Sequence, residues 1–231
     1  PARFSSQSLK GLTVIVTAGP TREPIDPVRY ITNRSSGKMG FAVAAAAEEA
    51  GAKVILVSGP VSMATPQGVE RIDVETAEQM YASAHERVGE ADLFIACAAV
   101  SDYKPETEAD EKLKRTQETL NLELIRSPDT LASVAGLKDG PFTVGFAAET
   151  QNVAENARSK LIRKGLDMIA ANQVGRDCGF DQETNSLMVF WDNDEVDLER
   201  ASKPVLAGRL IHLIAERYHA AHSERDSTQA V

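Results

Sequence analysis

Cysteine is scarce in this chain: Cys97 and Cys178 are the two it has, and they form neither a CxxC nor a Cys/His metal spacing. That argues against a disulfide framework and against a thiolate metal site, so both thiols are expected to be reduced. The four histidines, His85, His212, His219 and His222, all fall in helical patterns away from the loops that follow strands. No Ser/His/Asp or Cys/His relay is suggested, and Cys97, inside an apolar strand, reads as core. Any catalysis should then rest on positioning and charge stabilisation. Apolar runs are no longer than a strand, well short of the roughly 20 residues of a membrane span, and no charged start with an apolar core marks a signal peptide. A cytoplasmic protein with no membrane partner is expected. Positive charge is also in deficit, with 25 Lys and Arg against 34 Asp and Glu and a net charge of -9. The chain lacks the basic footprint of a nucleic-acid binder, so a phosphate ligand would need a local cluster of positive charge.

What remains is ordinary globular composition, 42% hydrophobic and 5% aromatic over 231 residues, which implies a mostly aliphatic and alanine core. One domain is the natural starting assumption at this length. Residues 1–11 and 220–231 are polar and aperiodic and read as a flexible N-terminal segment and a flexible tail, leaving a folded part at 12–219. No repeat or low-complexity segment interrupts it.

Within the folded part, short β-rich apolar runs alternate with helical patterns: LTVIVTAG, GFAVAAAAEEAG, AKVILVSG, VERIDV, TAEQMYASAHERV and ADLFIACAAV. The alternation continues through a strand in LNLELIR, a helix in SPDTLASVAGL, the strand FTVGFAA, the helix VAENARSKLIRKG and the strand LDMIAA. NSLMVFW and EVDLER, flanking WDNDE, read as a strand pair near an edge, and a helix over 203–218 closes the chain. The fold class is therefore α/β: a Rossmann-like, doubly wound, mainly parallel sheet with helices on both faces. Its departures are a long insert after the first strand, a flap loop, and the late edge strands.

In such sheets ligands bind beyond the carboxyl ends of the strands, which selects AGPTRE, CAAVSDY, GFAAET and AANQ as site loops. ITNRSSGKMG, between the insert and an alanine-rich helix, has the composition of a phosphate loop. It is not a P-loop, because Thr32 stands where the first glycine belongs and Met39 follows the Gly37-Lys38 pair. Nor is there a GxGxxG or a Tyr-x-x-x-Lys pair, and the second strand ends in Ser58 where an acidic residue would bind a ribose. The helix start at Gly37, with Ser35 and Ser36, could bind an anion. Gly37 and Gly40 could equally serve close helix-strand packing. In the insert, Asp26, Arg29, Asn33 and Arg34 exceed what a turn requires. Asn33 offers donors and an acceptor to a carbonyl that changes charge, or else makes an Asx turn. Positive charge gathers at Lys112, Lys114 and Arg115, which is a flap or a solvated loop, and at Lys160, Arg163 and Lys164. Lys160 and Lys164, spaced i, i+4, share a helix face on which an anion would offset their repulsion.

GPTREPIDPVRYITNRSSGKMG, CAAVSDY, EKLKR, SPDTL and VGFAAET, in that order and spacing, carry a resemblance covering residues 12–218. The chain resembles phosphopantothenoylcysteine synthetase (phosphopantothenate-cysteine ligase), the synthetase half of the bacterial bifunctional coenzyme A biosynthesis flavoprotein. The resemblance implies a ligase that converts the carboxylate of 4'-phosphopantothenate to an acyl-cytidylate with CTP and Mg2+, releasing pyrophosphate. Cysteine's amine then displaces CMP to form an amide. By position, it places Ala96, Cys97, Ala98, Asp102, Pro128, Asp129, Thr130, Leu131, Phe146, Lys160 and Lys164 at the nucleotide. Lys112 would reach the reacting phosphate from the flap, and Asn33 would handle the acyl group. The loop Asn33, Arg34, Ser35, Ser36, Gly37, Lys38 and Met39 would hold the phosphopantothenate side. The metal ligands are left unknown. A homodimer is implied, with NSLMVFW as a candidate pairing strand, together with fusion to or association with a flavin-dependent phosphopantothenoylcysteine decarboxylase. Whether the chain is an excised half or stands alone is left open. Two other readings stay open: a nucleotide-binding module without catalysis, and a nicotinamide-dependent reductase.

Overall fold

The computed structural model describes residues 7–115, 118–174, 182–192 and 194–229. Cys178 lies outside the described residues. β1 (Thr13–Ala18), β4 (Lys53–Ser58), β5 (Glu70–Asp73), β6 (Leu93–Ala96), β9 (Phe142–Glu149) and β10 (Met168–Gln173) form the parallel part of an eight-stranded sheet. Most of β1, β4 and β6 is apolar and buried from end to end, because helices cover both faces and no side of the strand meets water. Successive residues feed opposite cores. Val14, Val16, Leu56, Ile95 and Ala170 pack on one face under α1 (Lys38–Glu49) and α5 (Lys203–Gln229). Ile15, Ile55, Val57, Phe94 and Ala171 pack on the other under α2 (Ala77–Arg87), α3 (Thr130–Ala135) and α4 (Val153–Lys164).

Along the sheet the strands run β5-β4-β1-β6-β9-β10, so the chain winds outward from β1 in one direction and returns from β6 in the other. This is the doubly wound order, with its switch point between β1 and β6. Past the switch point the two chains stay paired: Ala99 N donates to Gly19 O at 2.9 Å, and Pro20 bridges Ala99. The site loops therefore leave the sheet already tied to one another.

β11 (Thr184–Trp191) and β12 (Asp194–Ser202) extend the sheet antiparallel beyond β10 and end it, which is the strand pair at an edge expected from NSLMVFW and EVDLER. The strand expected across LNLELIR is shorter and elsewhere. Only Leu124–Arg126 is extended (β8), and it pairs with β7 (Tyr103–Pro105) in an exposed two-stranded ribbon outside the main sheet. The insert after β1 contains another unforeseen ribbon, β2 (Arg22–Pro24) against β3 (Tyr30–Thr32). Leu9, which the sequence set outside the folded part, is fully buried, and its amide donates to Ala50 O at 3.0 Å. The closing helix α5 continues past residue 218 to Gln229. Among the described residues, no helix is long and apolar enough to cross a membrane.

Candidate active site

Two hollows meet over the switch point. The first, about 560 Å³, has the loop from Asn33 to Gly40 on one side and Cys97, Ala98, Ala99 and Val100 on the other. The second, about 780 Å³, runs between Ser101–Tyr103, the 126–132 loop and one face of α4. Ala98, Val100, Asp102, Phe146 and Lys160 line both, so the two hollows adjoin along these residues.

The loop of the first hollow is shaped by close packing. Gly37 caps α1 in the left-handed region at φ 76°, and a Cβ there would stand 2.9 Å from Val61 Cγ1. A Cβ on Gly40 would stand 2.5 Å from Ala18 Cβ, so glycine lets α1 lie directly on the end of β1. The packing role of these glycines is thus present, and it is what brings the loop to the hollow. No side chain caps α1 and its first turn carries no acid, which leaves its amides directed at the hollow. Asn33 makes no Asx turn. Its Nδ2 reaches across to the dividing wall, donating to Val100 O at 2.9 Å and Ala99 O at 3.4 Å, and Oδ1 is left for a ligand.

All seven residues expected on the acyl-substrate side, Asn33 through Met39, line the first hollow. Ala96, Ala98, Asp102, Pro128, Asp129, Thr130, Leu131, Phe146, Lys160 and Lys164, expected at the nucleotide, line the second. Cys97 lines the first hollow only, and burial pushes its thiol up to about 12 against the lowering pull of Lys203, so it is a neutral, unreactive group. Lys112 lines neither hollow and is exposed on the segment joining the ribbon strands β7 and β8.

The lysines on α4 differ in their surroundings. Lys160 sits in the dividing layer, donates to Phe146 O at 2.9 Å, and has its pKa lowered by burial first and by the charge of Lys164 second. Lys164 ion-pairs with Asp129 at 2.6 Å. Burial raises the Asp129 pKa, but the Lys164 bond and the Ala132 amide outweigh it and leave the group lowered. Lys164 therefore shares its charge with a carboxylate, while Lys160 lines both hollows.

The sequence reading missed Asn185, Lys203, Ser101 and Ser127. Asn185 enters the first hollow where the β11–β12 register breaks between Asn185 and Leu187, a break that re-aims a side chain without any compositional mark. Lys203 is 6% exposed, begins α5, and lines the same hollow. The mark it left is a basic residue opening a helix, where the dipole disfavours positive charge. Among the described residues, no group of three or more His, Cys, Asp or Glu could hold a metal ion.

Residues 9–218 match the family described as the DNA/pantothenate metabolism flavoprotein C-terminal domain. The coenzyme A biosynthesis bifunctional protein CoaBC of Vibrio cholerae is 52% identical over 218 residues, which is 93% of this chain and 55% of that protein. CoaBC of Escherichia coli K12 is 51% identical over 223 residues, 94% of this chain and again 55% of the relative. The chain thus spans about half the length of these curated relatives. Among solved structures, the C-terminal domain of CoaBC superposes with a TM-score of 0.80 at 36% identity, covering 93% of this chain and all of that one.

Proposed function

We propose, from the premise that this chain belongs to the family of DNA/pantothenate metabolism flavoprotein C-terminal domains, that it is a phosphopantothenate-cysteine ligase. The carboxylate of 4'-phosphopantothenate attacks the α-phosphorus of CTP, pyrophosphate leaves, and the amine of L-cysteine attacks the resulting acyl-cytidylate. The amide forms as CMP departs. The observation that carries this reading is the pair of hollows sharing one wall, with Asn33 bonded across it. A ligase of this kind needs no nucleophilic side chain, since one substrate is the nucleophile and the chain's task is alignment and charge neutralisation.

In this reading the first hollow holds the acyl substrate and the second the nucleotide, so the attacked phosphorus lies at the shared layer. Asn33 stands there with an amide oxygen for the incoming amine and a nitrogen held by the wall. Lys160, lining both hollows, supplies positive charge where pyrophosphate leaves. Lys112 would join the site by movement of its exposed segment. Mg2+ is held in such sites by one or two carboxylates together with substrate phosphates. The described residues build no cage of their own, so the metal would arrive with the triphosphate and supply charge neutralisation. Two copies form the working unit, coupled to a flavin-dependent decarboxylase that consumes the product, in the cytoplasm.

Pyrophosphate release by the purified chain tests the proposal, with CTP, Mg2+ and 4'-phosphopantothenate, with and without cysteine, and again with ATP. Sustained CTP-dependent release that requires cysteine is expected. CTP binding without turnover under any combination would replace the ligase with a binding module, and NADPH binding would revive the reductase.

A further inference from the structure

Val61 lines neither hollow, yet it meets the loop that shapes the first one. It is half-buried in the loop after β4 and packs on the edge of the core. Its Cγ1 methyl touches glycines from two different site loops. Gly37 caps α1 at φ 76° and Gly19 follows β1 at φ 75°, both in the left-handed region that glycine adopts without strain. A Cβ on Gly37 would stand 2.9 Å from that methyl, and a Cβ on Gly19 would stand 3.1 Å from it. The same position on Gly37 would lie 3.5 Å from Gly19 Cα, so the two glycines and the methyl are mutual neighbours.

The segment that carries Val61 is held at both ends. Gly59 N donates to Ala18 O at 2.9 Å, and a Cβ on Gly59 would stand 1.8 Å from Pro20 O, so this segment lies directly on the turn after β1. At its other end Arg71 Nη1 donates to Met63 O at 2.8 Å, while the guanidinium lies 5.3 Å from the centre of the Phe41 ring on α1. Arg71 Nε donates to Asp73 at 2.7 Å, which fixes the direction of the guanidinium. Residues 59–63 are thus tied to β1, to β5 and to α1. An apolar methyl between two glycines makes no hydrogen bond and carries no charge. What it supplies is excluded volume, which sets how closely the two site loops approach.

Resting on the ligase reading, we infer that Val61 is a positioning residue: its methyl, wedged between Gly19 and Gly37, sets the distance of the 33–40 loop from the turn after β1, and with it the place of the α1 amides at the substrate. The wedge acts on one compartment. Gly37 and the start of α1 line the first hollow, while the second lies between the 126–132 loop and α4, which packs on the other face of the sheet. Without the methyl the 33–40 loop relaxes toward the vacated space, and a substrate held by several fixed groups at once tolerates such a shift poorly.

The test is Val61→Ala, which removes both γ carbons, beside Val61→Ile, which keeps them. Val69→Ala is the control, another half-buried valine packed on the same core but not among the nearest neighbours of either glycine. In Val61→Ala the KM for 4'-phosphopantothenate is expected to rise about five- to tenfold, with the KM for CTP within about twofold of wild type. Val61→Ile should restore both values to within about twofold. Val69→Ala should lower Tm comparably and leave both KM values unchanged. Gly37→Ala supplies an independent measurement: its new Cβ meets the Val61 methyl, so its effect on KM should be smaller in the Val61→Ala background than in wild type. Unchanged KM values in Val61→Ala would overturn the inference, as would a Val69→Ala variant with the same KM rise or additive effects at positions 37 and 61. A rise confined to CTP would support the wedge and exchange the substrates between the hollows. Calorimetric titration of each ligand with the same variants needs no turnover, so wild-type protein that binds both ligands but releases no pyrophosphate would refute the ligase reading while the affinities still decide the role of Val61.

Discussion

The buried carboxylate of Asp26 accepts a hydrogen bond from the backbone amide of Leu113 at 3.1 Å, 87 positions along the chain. Arg29, itself paired with Asp26, donates to Leu113 O at 2.9 Å, and Ala109 N donates to Ile25 O at 3.0 Å. The insert after β1 therefore clasps the segment that carries Lys112. Sequence position gives no hint of this, yet it settles where Lys112 starts before it can reach a ligand.

Asp26→Asn tests the clasp. The Arg29 bond and three amide bonds hold the Asp26 carboxyl well below the usual carboxylate range. Its folded pKa is depressed, so its stabilisation is complete at neutral pH and is lost as pH falls below the unfolded value of about 3.9. The variant should have a lower Tm at pH 7, and its deficit relative to wild type should shrink under acid conditions. Proteolysis should also cut the 106–123 segment faster. A deficit that is constant with pH would show that the carboxylate charge is not what holds Leu113.

Asn33→Ala separates binding from chemistry. The side chain contacts the wall of the second hollow through backbone oxygens only, so CTP affinity should be within about twofold of wild type. Product formation should fall by roughly a hundredfold or more, the usual cost of removing one positioned polar group from a developing charge. Equal loss of CTP binding and turnover, measured by calorimetry and product formation, would make Asn33 a brace of the wall instead.

Lys160 predicts a pH dependence. Burial and Lys164 lower its pKa, so it loses its proton below the ordinary lysine value of about 10.4. The charged form is the one that attracts phosphate, and CTP affinity should therefore decline as pH rises through that lowered value. Lys160→Gln should remove this basic limb and cost roughly ten- to hundredfold in affinity, the range for a charge-assisted bond. An unchanged limb in the variant would remove Lys160 as its source.

The parallel sheet was legible because its strands are buried on both faces and write themselves as continuous apolar runs such as TVIVTA and KVILVS. The site loops followed, since their place is set by the ends of those strands. The ribbon strands Arg22–Pro24, Tyr30–Thr32 and Tyr103–Pro105 were not legible, because three residues are too few to show a period, and the strand read across LNLELIR narrows to Leu124–Arg126 because its exposed residues pair outside the main sheet. Ser101 and Ser127 were hidden for a different reason. Their hydroxyls are buried without a partner, a property that exists only once everything around them has been placed.

Lys203 lines the first hollow together with Lys38. It is 6% exposed, opens the 27-residue helix α5, and its amide donates to Glu183 O at 3.0 Å. The Glu183 side chain itself turns to Lys38, and both lysines line the hollow with Asn172 and Asn185. The Glu183 carboxylate offsets part of the charge of both lysines, but the dipole of a long helix disfavours a cation at its positive end. An anion bound in the hollow would stabilise both lysines there. The acyl substrate of the proposed reaction carries such a group, a phosphate, at the end remote from its reacting carboxylate. Lys203→Met should therefore raise KM for 4'-phosphopantothenate by at least tenfold, with kcat and the KM for CTP changed much less, the pattern of lost uniform binding. Lys203→Arg should recover part of the loss. A rise in the KM for CTP alone would put the triphosphate in this hollow and exchange the two substrates between the compartments.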